Sequence, residues 1–173
     1  MKLSTRGRYA VMAMADLARA ATDHPVALAD IAERQEISLS YLEQLFSKLR
    51  KGGIVTSVRG PGGGYQLASP MSETRISDII LAVDEPIKTT RCEVGSSKGC
   101  TKGNGRCITH DLWEELGHHI HIFLSSVTLA DVVQRKVLGK SGALVSEAAR
   151  GQAPLSDSWS FDEREPAGVA AGE

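Results

Sequence analysis

Residues 37–53, Ile37-Ser38-Leu39-Ser40-Tyr41-Leu42-Glu43-Gln44-Leu45-Phe46-Ser47-Lys48-Leu49-Arg50-Lys51-Gly52-Gly53, decide the fold. Leu39, Leu42, Leu45, Phe46 and Leu49 recur at helical spacing and make one apolar stripe. Ser40, Tyr41, Glu43, Gln44, Ser47, Lys48 and Lys51 share the other face. Ser38 or Ser40 supplies a capping hydroxyl, and Gly52-Gly53 stops the helix. Just upstream, Leu28, Ile31 and Ala32 describe a short helix ending near Gln35, separated from the next only by a tight turn at Glu36-Ile37. Downstream the period changes. Ile54-Val55-Thr56-Ser57-Val58 is largely β-branched, Tyr65-Gln66-Leu67-Ala68 is its partner, and Arg59-Gly60-Pro61-Gly62-Gly63-Gly64 joins them with no bulk at its tip. Two helices across a tight turn, followed by a glycine-tipped hairpin, make a winged helix-turn-helix.

Outward from this unit, Tyr9, Ala13, Leu17 and Ala20 fall at helical spacing within residues 6–21, and His24-Pro25 breaks that helix. Ile76, Ile79, Ile80 and Val83 give a fourth helix that stops near Pro86. From Thr109 to about Ser126, Trp113, Leu116, Ile120, Phe123 and Val127 follow one another at steps of three and four residues. Two heptads are too short for a free coiled coil but adequate for a packed helix pair, so this seam is expected at a homodimer interface. Thr128 can cap a last helix carrying Leu129, Val132, Val133 and Val137. The expected architecture is mainly α with a small β-wing: a winged helix-turn-helix over residues 1–85, a loop over 86–110, dimerisation helices over 109–140, and an acidic tail over 141–173 whose composition predicts disorder.

Composition narrows the function. The chain has 173 residues, 42% apolar and 24% charged, which excludes wholesale disorder, collagen and a disulfide scaffold. Aromatics at 5% leave a core of aliphatic residues and Ala. A net charge of −1 excludes a uniformly basic coat but hides an asymmetry. Residues 1–70 carry nine Lys and Arg against six Asp and Glu, a surplus of three positive charges; residues 141–173 carry two against six, a deficit of four. No apolar run is long enough for a bilayer, and Met1-Lys2-Leu3-Ser4-Thr5-Arg6 contains no apolar signal region, so the expected compartment is the cytoplasm, without membrane association.

The second helix of such a motif presents its polar face to a DNA major groove. Ser38, Ser40, Tyr41, Glu43, Gln44 and Lys48 are therefore candidate contacts. In the wing, Gly60 and Pro61 let the backbone approach phosphates, and Arg59 at the loop's base can enter the minor groove. Plainer readings exist. Ser40-x-x-Glu43 also fits a capping box, and Lys48, Arg50 and Lys51 taken alone fit an ordinary solvated face. The glycine loop lacks a Lys-Ser/Thr ending and leads into a strand, which disfavours a nucleotide-phosphate loop.

The three cysteines, Cys92, Cys100 and Cys107, cluster within sixteen residues, and an odd number cannot pair fully within one chain. Seven residues separate the first two, six the second pair, and His110 follows Cys107 after two more. Glycines at 95, 99, 103 and 105 let the backbone wrap a small guest. Three thiolates and an imidazole fill four coordination positions. Structural zinc uses that set but favours closely spaced pairs, of which only Cys107–His110 is one. A 2Fe–2S cluster also takes four ligands, tolerates imidazole and suits longer loops. Ligand chemistry leaves zinc and the cluster open, with three free thiols as the bland alternative. His118, His119 and His121 point in different directions on a helix and cannot all bind one metal. No nucleophile–base pair appears, so an enzyme is not expected.

The chain resembles, over about residues 1–140, the IscR-type iron–sulfur cluster regulators, a bacterial family of dimeric winged-helix transcription factors. The resemblance lies in Met1-Lys2-Leu3-Ser4-Thr5-Arg6-Gly7-Arg8-Tyr9-Ala10, in residues 37–46, in Val58-Arg59-Gly60-Pro61-Gly62-Gly63-Gly64-Tyr65 and in Cys107-Ile108-Thr109-His110-Asp111-Leu112-Trp113. It implies a 2Fe–2S cluster on Cys92, Cys100, Cys107 and His110, with zinc as runner-up, and double-stranded DNA read by Ser40, Glu43, Gln44 and Arg59. It also implies repression of a cluster-assembly operon when the cluster is bound, other sites bound without it, and cluster-delivery proteins as partners. The loops between the cysteines are longer than the family pattern, and the acidic tail is extra. Glu43 is expected to act as a selector, because a carboxylate accepts from cytosine but repels phosphates and acceptor edges.

Overall fold

The computed structural model describes residues 4–20, 24–85, 89, 100, 101 and 105–140. Six helices and a hairpin follow in the order α1 (Thr5–Ala20), α2 (Leu28–Gln35), α3 (Leu39–Lys51), β1 (Val55–Val58), β2 (Gly64–Leu67), α4 (Ile76–Ala82), α5 (His110–Ser126) and α6 (Leu129–Val133). The mainly helical architecture with a two-stranded wing is thus the one the chain adopts. Cys92 and the acidic tail lie outside the described residues. Among the described residues, no helix is long and apolar enough to cross a membrane.

α1 runs through the centre. Ala10, Ala13, Met14 and Leu17 are fully buried, and the small Ala10 and Ala13 side chains let neighbouring helices approach, with α2, α4 and α6 packed around α1. A buried ionic tie fixes α1 to α2: the Asp16 carboxylate accepts from Arg34 Nη2 at 2.7 Å, Arg34 Nε at 3.0 Å and Gln35 Nε2 at 3.0 Å. Glu36, in the left-handed region at φ 52°, makes the tight turn, and buried Ile37 anchors its exit. Leu42, Leu45, Phe46 and Leu49 then bury one face of α3. Leu39, expected in that stripe, stands at the helix's first position and is 42% exposed.

Two expectations about capping change. Ser38 is the N-cap of α3 without a side-chain capping bond, and Ser40 already lies inside the helix, so Ser40 and Glu43 form no capping box. The box is at α6, where Thr128 Oγ1 accepts from the Asp131 amide at 3.1 Å and the Thr128 amide donates to Asp131 Oδ2 at 2.9 Å.

The wing pairs Val55 with Leu67 and Val58 with Gly64 in antiparallel register, and the Ile54 carbonyl extends it by accepting from Ala68. At the tip the Gly63 amide donates to the Gly60 carbonyl at 2.9 Å around Pro61-Gly62, with Gly62 at φ 75°, the signature of a type II turn. Val26, just before α2, joins the wing through a reciprocal pair with Tyr65 at 2.9 and 2.8 Å. Gly64 is needed there, because a Cβ would lie 2.4 Å from the Val26 carbonyl oxygen.

The last described segment returns to the same core. The Ile76 amide donates to the Val127 carbonyl at 3.0 Å and the Leu129 amide to the Thr74 carbonyl at 2.8 Å, with Val127 and Leu129 buried beside Leu17 and Ile79. α5 therefore joins directly to the start of α4.

Candidate functional site

Two surfaces carry the candidate residues. The first is the outer face of α3 with the wing. Ser38, Ser40, Glu43, Gln44 and Lys51 are exposed, as are Arg59, Gly60 and Pro61. Arg50, also exposed, reaches Ser57 on β1 at 3.5 Å and spans the gap between helix and wing. Two expected contacts sit on the flanks instead. Tyr41 meets Tyr9 of α1 edge-to-face at 6.0 Å, and Lys48 Nζ lies 2.8 Å from Asp84 Oδ2, just beyond α4. That ammonium holds the Asp84 carboxyl below its ordinary range, by hydrogen bonding first and by charge second. Among the described residues, Arg50, Lys51 and Arg59 are exposed cations of the outer face, and a surface of exposed polar side chains beside a backbone-rich wing suits phosphate anchoring and base reading together.

The second surface surrounds His110 at the first position of α5. His110 is buried, and its Nδ1 lies 3.0 Å from Cys100 Sγ. The His110 amide donates to the Cys107 carbonyl at 2.9 Å, which explains the short Cys107–His110 spacing: it closes the turn that starts the helix. Between Cys100 and Cys107, Thr101 and Gly105 hold each other through Thr101 Oγ1 donating to the Gly105 carbonyl at 3.0 Å and their amides. The Cys107 thiol is half-buried and lies 3.6 Å from Thr109 Oγ1. Of the four expected ligands, Cys100 and His110 converge. Cys107 follows in the adjoining turn without joining them, and Cys92 lies outside the described residues. Among the described residues, the group of three potential ligand side chains whose atoms all lie within 4.8 Å of one another is His110, Asp111 and Glu114. The donor set of thiols and imidazole fits an iron–sulfur or zinc site in kind, since both take soft sulfur with nitrogen.

α5 buries His110 alone among its residues. Leu112, Trp113 and Leu116 are exposed at 63%, 45% and 39%, and Ile120 is half-buried. Phe123 leans on the core and Val127 is buried within it, so the open part of the seam runs from Leu112 to Ile120. Sequence periodicity had not marked Leu112, which shares that face. Thr89 crosses the helix, its hydroxyl donating to the Trp113 carbonyl, and Gly117 leaves room for it: a Cβ there would lie 2.6 Å from Thr89 Oγ1.

The chain resembles known proteins in both sequence and fold. The Rrf2 family model, whose description is iron-dependent transcriptional regulator, matches residues 3–135. The HTH-type transcriptional regulator IscR of Yersinia pseudotuberculosis is 54% identical over 136 residues, covering 79% of this chain and 81% of its own length. Among solved structures, IscR of T. potens is similar with 36% identity and a TM-score of 0.62, over 88% of this chain and 94% of its own. CymR, the global cysteine regulator of B. subtilis, is similar with 32% identity and a TM-score of 0.65, over 78% and 98%. The exposed reading helix, the glycine-tipped wing and these likenesses converge: the chain is a DNA-binding transcriptional regulator and belongs to the Rrf2 family.

Proposed function

We propose that the protein is a homodimeric, cytoplasmic regulator that senses iron–sulfur supply: Cys92, Cys100, Cys107 and His110 hold a 2Fe–2S cluster, and its presence determines which DNA sites are bound. The observation that carries this reading is the 3.0 Å approach of Cys100 Sγ to His110 Nδ1 at the start of a helix whose apolar side is open. When bound, the cluster supplies crosslinks among its ligands and a lability toward oxidants that a four-thiolate site would have less of.

The chain's own residues supply the rest. Trp113, Leu116 and Ile120, with Leu112 and the edge of Phe123, form the apolar patch for the second protomer, and pairing two winged units sets the half-site spacing. The end of α5 is tied to the start of α4, and the end of α4 to α3 through Asp84 and Lys48. Ordering the loop around His110 therefore bears on the angle at which the reading helices meet DNA. Ser40, Gln44 and Glu43 read base edges, and Glu43 selects between site classes. With the cluster, the protein represses a cluster-assembly operon; without it, it binds a second class of sites. Cluster-delivery proteins supply the site. No catalytic step is assigned, since cysteines used as ligands are not nucleophiles.

A zinc-stabilised repressor that does not sense is the second reading, favoured by the short Cys107–His110 turn. Purification without oxygen separates the two. The cluster reading predicts coloured protein with iron and acid-labile sulfide in near-equal amounts, lost in Cys100→Ala. Colourless protein carrying zinc alone overturns it.

A further inference from the structure

On the far side of the His110 ring from Cys100 stands Glu114, one helical turn along α5, with its Oε2 3.5 Å from Nε2 and its side chain 29% exposed. Arg106 Nη1 lies 3.6 Å from that same carboxylate and 3.6 Å from Asp111. His110, Asp111 and Glu114 gather as a cation site would. However, the guanidinium already stands against both acids, neutralising one of their two charges, and Asp111 is 88% exposed, so the group is a poor cation site. What remains unexplained by that neutralisation is the imidazole between a thiol and a carboxylate.

We propose that Glu114 is a positioning residue for His110, and that His110 binds the cluster through Nδ1; this rests on the cluster reading above. A neutral imidazole carries one proton. A carboxylate facing Nε2 favours the proton there, which leaves the Nδ1 lone pair directed at Cys100 and whatever Cys100 binds. The i,i+4 spacing on a helix fixes the relation without a long loop. At 3.5 Å the contact is longer than a finished hydrogen bond. Coordination at Nδ1 withdraws electron density from the ring and makes Nε2–H a stronger donor, so ligation and the Glu114 bond reinforce each other. Arg106 holds the carboxylate from the solvent side and keeps it from turning away.

The test begins with the full chain free of cluster, labelled with ¹⁵N-histidine, at a pH where the imidazole is neutral. Wild type and Glu114→Gln, whose amide oxygen still accepts, are expected to show His110 as the Nε2–H tautomer, and Glu114→Ala a mixture. In the loaded protein, Glu114→Ala is expected to retain its cluster about 10-fold less well, with Glu114→Gln in between and Asp111→Ala close to wild type. Identical tautomer populations in wild type and Glu114→Ala, in variants of unchanged helix content, overturn the proposal. Wild-type protein that takes up no iron and sulfide overturns the cluster reading instead, while the tautomer comparison, made without cluster, still decides the role of Glu114.

Discussion

Lys48 Nζ lies 2.8 Å from Asp84 Oδ2, so the reading helix is fastened to the residue just past α4. A second clamp lies beside it, where a Cβ on Gly52 would come within 2.9 Å of the Ala82 Cβ. At its other end α4 receives the Val127 carbonyl on the Ile76 amide. α4 is thereby a brace between the helix that starts at His110 and α3, the helix proposed to face DNA. Asp84 reaches Lys48 from a left-handed backbone, at φ 56°.

The pairing predicts an unequal response among the cations of α3. Each phosphate contact contributes about 0.9 to the slope of log affinity against log salt. Lys51→Ala and Arg59→Ala are each expected to reduce that slope by about this amount, whereas Lys48→Ala, whose charge Asp84 already compensates, leaves it nearly unchanged. Fluorescence anisotropy across a salt series checks this; a Lys48→Ala slope as shallow as that of Lys51→Ala contradicts it.

Glu43 is exposed on the outer face, on the same side as Ser40 and Gln44. Its replacement by Ala is expected to relax site choice, bringing cognate and mismatched sites about 1–3 kcal/mol closer, the usual worth of a good base contact. Selection from a randomised DNA pool reads the change directly, and unchanged site preferences would remove the selector role.

Gly64 abuts the Val26 carbonyl, where an added Cβ would lie at 2.4 Å. Gly64→Ala forces the two backbones apart and loses the reciprocal Val26–Tyr65 pair, an overpacking cost of about 1–3 kcal/mol. Denaturant unfolding should show the lower midpoint. Gly53→Ala, at φ 72° in open space, should lose less, through backbone strain alone.

Asp131 contributes to the acid limb of stability. Its carboxyl is held well below the usual carboxylate range, first by Lys140 at 2.6 Å, then by the Thr128 hydroxyl at 2.7 Å and the Thr128 amide at 2.9 Å. A depressed folded-state value means that the contribution is present above the unfolded value of about 3.9 and disappears as pH falls through the folded one. Unfolding curves of wild type and Asp131→Asn should therefore differ at pH 6 and converge on acidification; a constant gap would contradict the linkage.

Much of the fold was legible because it obeys two periods. The stripe of Leu42, Leu45, Phe46 and Leu49 marked α3, and the β-branched run before a glycine tip marked the wing. Thr128 was legible as a cap because a hydroxyl residue directly precedes a last apolar helical stretch; its box partner Asp131 went unremarked. Asp16 was not: a single acid within an Ala-rich helix has no pattern, and only the fold brings Arg34 and Gln35 to it. Ser40 misled because a capping box and an exposed first turn are identical in sequence. The ion pair of Lys48 was not legible either, since its partner Asp84 is distant along the chain. At the candidate metal site, residue types and spacing pointed to His110 and the three cysteines, of which the described residues bring Cys100 to His110, yet Glu114 lay unremarked because it belongs to no ligand motif. Leu112 escaped the heptad reading because it is an additional position on a face already accounted for.

In the proposed mechanism, occupancy of the His110 site selects the DNA. Its most direct test is one oxygen-free preparation, split in two, with the cluster removed from one half, and each half used for selection from the same DNA pool. Two distinct enriched sequences are expected, with His110→Ala recovering only the one bound by the cluster-free half. A single sequence enriched with equal affinity by both halves contradicts it.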